Sequence, residues 1–251
     1  MDELGVDWFT VATIVAIAFG ASIIGGLSGF SAGALIAPFL LPVFGEKSVF
    51  PVVATAMTVG NLSRLWVYRH SVDLPAVRTI LPAVVPGVML GIAIYDTLPP
   101  RALSILIGVL LIASIFIRRF MAARAIRTGP IQTASIAFGS GVISGNAPGG
   151  GIVIVSLLLG YGLKGATLVG TDAAIGGAVS IVNAVLFGGL GHLPTPALLT
   201  GLAVGAAMIP GAYAARWIMT HLPLSIHLLA MEAIIIASGS VFIWNGLSPL
   251  T

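Results

Sequence analysis

Apolar runs of roughly 17 to 25 residues, separated by short polar or glycine-rich stretches, recur along the whole chain, and about 20 such residues make one helix able to cross a bilayer core of about 30 Å. Alternating segments of about ten residues, the mark of a membrane β-barrel, are absent. The pattern predicts ten helical segments in two sets of five. The first set runs over 8–26, 31–44, 48–69, 75–95 and 101–119, the second over 131–144, 149–160, 164–187, 195–219 and 224–245. At 1.5 Å per residue, 131–144 and 149–160 reach only about 21 and 18 Å, short of a full crossing. They are expected to form a deep hairpin with its break at the tip, with two short tilted crossings as the other solution.

The two sets echo each other. Ala16-Ile17-Ala18-Phe19-Gly20 resembles Ser135-Ile136-Ala137-Phe138-Gly139, and each leads into a glycine-rich break. Further on, Val53-Ala54-Thr55 answers to Gly170-Thr171-Asp172, Leu74-Pro75 to Leu193-Pro194, Pro86-Gly87 to Pro210-Gly211, and Leu98-Pro99 to Leu222-Pro223. Preserved order at nearly constant spacing predicts a duplicated domain: repeats at 1–120 and 131–251 joined by a basic linker at 121–130. The breaks are Gly25-Gly26-Leu27-Ser28-Gly29-Phe30-Ser31-Ala32-Gly33 and Ser144-Gly145-Asn146-Ala147-Pro148-Gly149-Gly150-Gly151. Each Gly costs a helix about 1 kcal/mol relative to Ala. Backbone groups freed at membrane depth survive only buried in protein or lining a watery cavity, so the breaks are site candidates.

Composition excludes a soluble globule: 58% of residues are hydrophobic, 8% are charged, and mean hydropathy is +1.12. The expected fold class is an all-α integral membrane protein. The net charge of +3 does not point to nucleic acid, because the basic residues sit in short loops, where they set orientation. Arg118, Arg119, Arg124 and Arg127, where the halves join, are expected in the cytoplasm with Arg64, Arg69, Arg78, Lys164 and Arg216, leaving Lys47 and Arg101 outside. Both termini then lie outside and the halves have opposite topology, the usual sign of an alternating-access transporter. The acidic N-terminus, Met1 to Trp8, reads as no removable signal peptide. The lack of cysteine excludes disulfides and thiol chemistry, and no cofactor is expected.

The first break through Pro38, the Ala54-Thr55 element, Pro86-Gly87 through Gly91, and the Pro148-Gly149-Gly150-Gly151 counterpart resemble the TauE/SafE family, also called the sulfite exporter or toluene-sulfonate uptake permease family. The resemblance covers nearly the whole chain. It implies a carrier of sulfite, sulfonates or other small organic anions in a bacterial inner membrane. The first half departs from the Pro-Gly-Gly-Gly form, having Gly29-Phe30-Ser31-Ala32, so its tip is expected to offer less backbone to a ligand.

Local chemistry agrees with an anion. Ends of broken helices present free N–H groups and roughly half a positive charge, and two inverted repeats aim two such ends at one midplane cavity. The expected binding set is backbone from Gly29 to Gly33 and Gly149, Gly150 and Gly151, with Ser28, Ser31 and Asn146 as side-chain donors. Thr55, Thr58, Asn61, Thr171 and Asn183 are expected on the adjacent helix faces. The alternative is that the glycines serve close helix packing. Charges within spans are functional candidates by default, which singles out Asp172, Glu232 and Arg216 for proton coupling or gating, against a structural ion pair. Arg64 is expected to snorkel to its loop. Trp8, Trp66, Trp217 and Trp244 read as interface anchors. Two rival functions remain: an intramembrane serine protease of rhomboid type, on the Gly26-Leu27-Ser28-Gly29 match and a histidine base, and an anion channel.

Overall fold

The computed structural model describes residues 8–28, 32–124, 129–148, 150–218 and 224–248. Among these the chain is all helix: α1 (Trp8–Ser28), α2 (Gly33–Tyr68), a 3-10 turn (Arg69–Ser71), α3 (Leu74–Thr97), α4 (Pro100–Arg124), α5 (Pro130–Asn146), α6 (Gly151–Gly160), α7 (Gly165–Gly189), α8 (Thr195–Ile218) and α9 (Leu224–Leu247). Five helical stretches are long and apolar enough to cross a membrane: Gly33–Ser71, Leu74–Thr97, Pro100–Ile117, Gly165–Gly189 and Thr195–Ile218. The chain is a multi-pass membrane protein.

Local rules set the boundaries. Asp73 caps α3, its carboxylate accepting from the Ala76 N–H at 2.8 Å, with a proline in the first turn where no N–H is needed. Gly129 and Pro130 open α5, and the Gln132 side chain accepts from the Gly129 N–H at 3.1 Å. The segments expected at 31–44 and 48–69 are two limbs of α2, broken at Gly45 by φ 68 and ψ 175, a left-handed conformation that favours glycine. Gly29, Phe30, Ser31 and Gly149 lie outside the described residues, as do Met1 to Asp7, where the signal-peptide reading falls.

Packing crosses between the halves of the chain: α1 lies on α8, α3 on α5, α2 on α7 and α8, and α4 on α9. Small residues allow the close approaches. A Cβ on Gly145 would meet Gly91 Cα at 2.9 Å, and one on Gly141 would meet Gly87 Cα at 3.0 Å, so α3 and α5 run parallel along paired Gly-x-x-x-Gly stripes. Helices α1 and α8 repeat the arrangement, with Ser22 against Gly211 and Gly26 against Ala215. In α4 and α9 the order is reversed: Gly108 faces Gly239, and Gly246 faces Arg101, so the pair is antiparallel.

Side-chain bonds mark the two ends of the bundle. At one end, Lys47 beyond the α2 break donates to the carbonyls of Tyr95 and Asp96, His192 pairs with Asp96, and Asn245 donates to Glu46 at 2.9 Å. At the other, the Asp73 N–H donates to Thr171 at 2.9 Å and Arg216 donates to Val67 O at 2.8 Å. The second limb of α2 therefore runs antiparallel to α7. Helices α5 and α6 form a hairpin: the Tyr161 hydroxyl donates to Thr133 at their open end (3.0 Å), and Ser140 donates to Gly150 O near the tip (2.9 Å).

Candidate functional site

A cavity of about 60 Å³ lies between the facing stripes of α2 and α7, closed on its third side by the α5–α6 break. The α2 stripe is Phe50, Val53, Ala54, Met57, Asn61 and Arg64, at helical spacing, and the α7 stripe is Asp172, Ile175, Gly176, Val179, Ser180 and Asn183. Ser144, Ala147, Pro148, Gly151 and Ile154 complete it. Apart from Ser144, Gly151 and Gly176, every lining residue is buried. A water needs about 10 to 15 Å³ measured this way, so the space holds several waters or one small anion.

Arg64 dominates the polar end. It is 5% exposed, which corrects the expectation that it snorkels to the loop. Its Nη1 donates to Gly25 O at 2.9 Å, and its Nη2 donates to Asn61 Oδ1 and, at 3.3 Å, to Asp172 Oδ2. Gly25 lies in the last turn of α1, where carbonyls have no partner within the helix, so Arg64 caps the helix at the first glycine-rich break. It thereby ties α1, α2 and α7 together.

The second break has a matching tie. Asn183 on α7 donates through Nδ2 to Ser144 O at 3.0 Å, in the last turn of α5. Between the two ties, Asn61 Nδ2 donates to Ser180 Oγ at 2.9 Å, and Ser180 passes its own proton to Gly176 O at 2.7 Å. The breaks also approach each other, since a Cβ on Gly33 would lie 3.2 Å from Pro148 Cβ.

Of the residues expected at the site, the structure brings Asn61, Gly151, Asn183 and Asp172 to the cavity. Thr55 and Thr58 return their hydroxyls to Pro51 O and Ala54 O on their own helix, and Thr55 packs on Gly201 of α8. Thr171 is spent on the Asp73 N–H at the α3 start. Asn146 turns back to Val142 O at 2.9 Å beside Gly91. Gly33 packs on Val53 and Met57, and a Cβ on Gly150 would lie 2.6 Å from Ser140 O and 2.7 Å from Ser144 N, so both glycines serve close packing. Arg216 is exposed beside Val67 and Tyr68, and the ion-pair partner of Asp172 is Arg64. Gly29, Ser31 and Gly149, and the side chains of Ser28 and Glu232, lie outside the described residues.

Arg64 is the residue that sequence reasoning missed. A signal was present: Gly25 and Ser144, Asn61 and Ser180, and Arg64 and Asn183 are all separated by the interval that relates Ala16 to Ser135 and Leu74 to Leu193. In the structure Arg64 donates to Gly25, Asn183 donates to Ser144, and Asn61 donates to Ser180.

Membrane-crossing helices around a mostly apolar cavity, with one buried guanidinium at a helix break, define a multi-pass membrane protein. The chain matches the sulfite exporter TauE/SafE family model over residues 14–242 and belongs to that family, which makes it a transmembrane transporter. No curated protein and no solved structure matches it.

Proposed function

We propose that this protein exports a small oxyanion of the sulfite or sulfonate class across a bacterial inner membrane by alternating access, binding it in the cavity between α2, α7 and the α5–α6 break. The observation that carries this reading is Arg64, a buried guanidinium facing a space the size of a small anion. Three of its N–H groups are engaged, and a guanidinium has five to give. Nothing favours the serine protease, and His192, a candidate base, is taken by Asp96.

The alternating-access part rests on the architecture. Antiparallel α2 and α7, antiparallel α4 and α9, and the matched pairs α1 with α8 and α5 with α3 support an inverted repeat of residues 1–120 and 131–251 about an axis in the membrane plane, joined by the linker at 121–130. The end bearing Arg69, Arg78, Lys164 and Arg216 is assigned to the cytoplasm, and both termini to the outside.

Asp172 shares the Arg64 guanidinium with any anion that enters. With Arg64 it leaves the empty cavity formally neutral, so an entering anion competes with the carboxylate for the guanidinium. Protonating Asp172 removes that competition. Outward movement of an anion from a negative-inside cell gains about 2.3 kcal/mol per charge per 100 mV, so export needs no coupling ion, while uptake through the same site would use the Asp172 proton.

The test is sulfite flux into proteoliposomes. Arg64→Gln, in protein that still unfolds cooperatively, is expected to lose flux by at least tenfold to a hundredfold, the size of a charge-assisted hydrogen bond, with Arg64→Lys intermediate. Wild-type flux in Arg64→Gln would place the substrate elsewhere.

A further inference from the structure

The cavity holds an unspent acceptor as well as a cation. Asn183 is 4% exposed, and among the described residues its Oδ1 has no partner. Its orientation is fixed, because the amide N–H₂ donates to Ser144 O, and a flipped amide would set two acceptors against each other. Among the described residues no donor reaches it. Ser180 already gives its proton to Gly176 O, Asn61 gives an N–H to Ser180, and Asp172, held by Arg64, is itself an acceptor. A buried acceptor left without a donor is costly, and a ligand that brings one recovers that cost.

We propose that the substrate is recognised in a monoprotonated form: an oxyanion whose bare oxygens turn to Arg64 and whose retained O–H donates to Asn183 Oδ1. This rests on the oxyanion reading above and narrows it. A fully deprotonated oxyanion turns lone pairs toward Oδ1 and toward the Asp172 carboxylate. A dianion in addition leaves more negative charge than the single guanidinium balances. The charged groups facing this space are Arg64 and Asp172. The site thus selects by the hydrogen on the ligand, which a hole built only of donors does not do.

The experiment compares two pyramidal anions with the same number of oxygens, hydrogen selenite, which keeps an O–H, and chlorate, which has none, by calorimetric titration of the purified full-length protein. Wild type is expected to bind hydrogen selenite about tenfold or more tighter than chlorate. Asn183→Leu is expected to bring the ratio close to one by weakening selenite alone; a merely structural loss weakens both anions together and leaves the ratio in place. In wild type, raising the pH through selenite's second ionisation is expected to weaken selenite and spare chlorate, whereas titration of Asp172 moves both. Equal affinities in wild type, or a ratio that survives Asn183→Leu, overturn the proposal and leave the oxyanion reading standing. Binding of neither anion at any pH removes both.

Discussion

At the scale of single residues, the decisive contact is the buried pair of Arg64 and Asp172, 3.3 Å apart with both side chains 6% exposed. Removing one member of such a pair strands the other charge, which costs about 3–5 kcal/mol, while replacing both by apolar groups of similar volume is often close to neutral. Arg64→Leu alone is therefore expected to lower the unfolding midpoint sharply, and Arg64→Leu combined with Asp172→Leu to recover much of the loss. A double variant no more stable than Arg64→Leu, measured by thermal unfolding in detergent, would show that the bonds to Gly25 and Asn61 matter more than the pair. The sequence marked Asp172 as a charge within a span but assigned Arg64 to the surface. An arginine a few residues from a helix end can turn either way, and what turns this one inward is the unpaired carbonyl of Gly25 on another helix. Thr55, Thr58 and Thr171 illustrate a related point. Deep polarity demands a partner and does not say which, and hydroxyls on helices commonly find it one turn back on their own backbone, as Thr55 and Thr58 do.

At the scale of elements, the glycines divide into those that touch and those that do not. A Cβ on Gly145 would meet Gly91 Cα and Ile92 N, both at 2.9 Å, and backbone atoms cannot rotate away. A Cβ on Gly139, on the same helix, would meet nothing within 4 Å. Gly145→Ala is expected to destabilise by about 1–3 kcal/mol, the usual cost of overpacking, while Gly139→Ala gains up to about 1 kcal/mol of helix propensity. Equal unfolding midpoints for the two variants would mean that α3 and α5 are not in contact along this stripe. Hydropathy reads helix existence well, since every segment it marked is present, and the break near 45 falls at Gly45 as the pattern expects. It reads glycine purpose poorly. A glycine that lets a second helix approach and one that opens backbone to a ligand look alike until the neighbour is known, and the close neighbours of Gly150 are Ser140 and Ser144.

At the scale of the whole molecule, what the pattern withholds is partnership. Nothing in the order of apolar runs says that α5 lies on α3 or α1 on α8, because lipid and a neighbouring helix are equally apolar and only small-residue stripes distinguish them. Direction is more accessible, because charge is unevenly divided between the ends. Arg69, Arg78, Lys164 and Arg216 sit toward the end where Asp73 meets Thr171, and Lys47 and Arg101 toward the end where Asn245 meets Glu46. The proposed orientation, with the first end in the cytoplasm, rests on the imbalance of short-loop arginine and lysine. Arg101 and Lys164 are both exposed, and the native chain has no cysteine to confuse a label. In sealed right-side-out vesicles, Arg101→Cys is expected to react with a membrane-impermeant maleimide and Lys164→Cys to react only after the vesicles are opened. Reaction of both before opening would put the two ends of the bundle on one side of the membrane. The inverted arrangement would then fall, and with it the idea that one anion site is exposed alternately to the two faces.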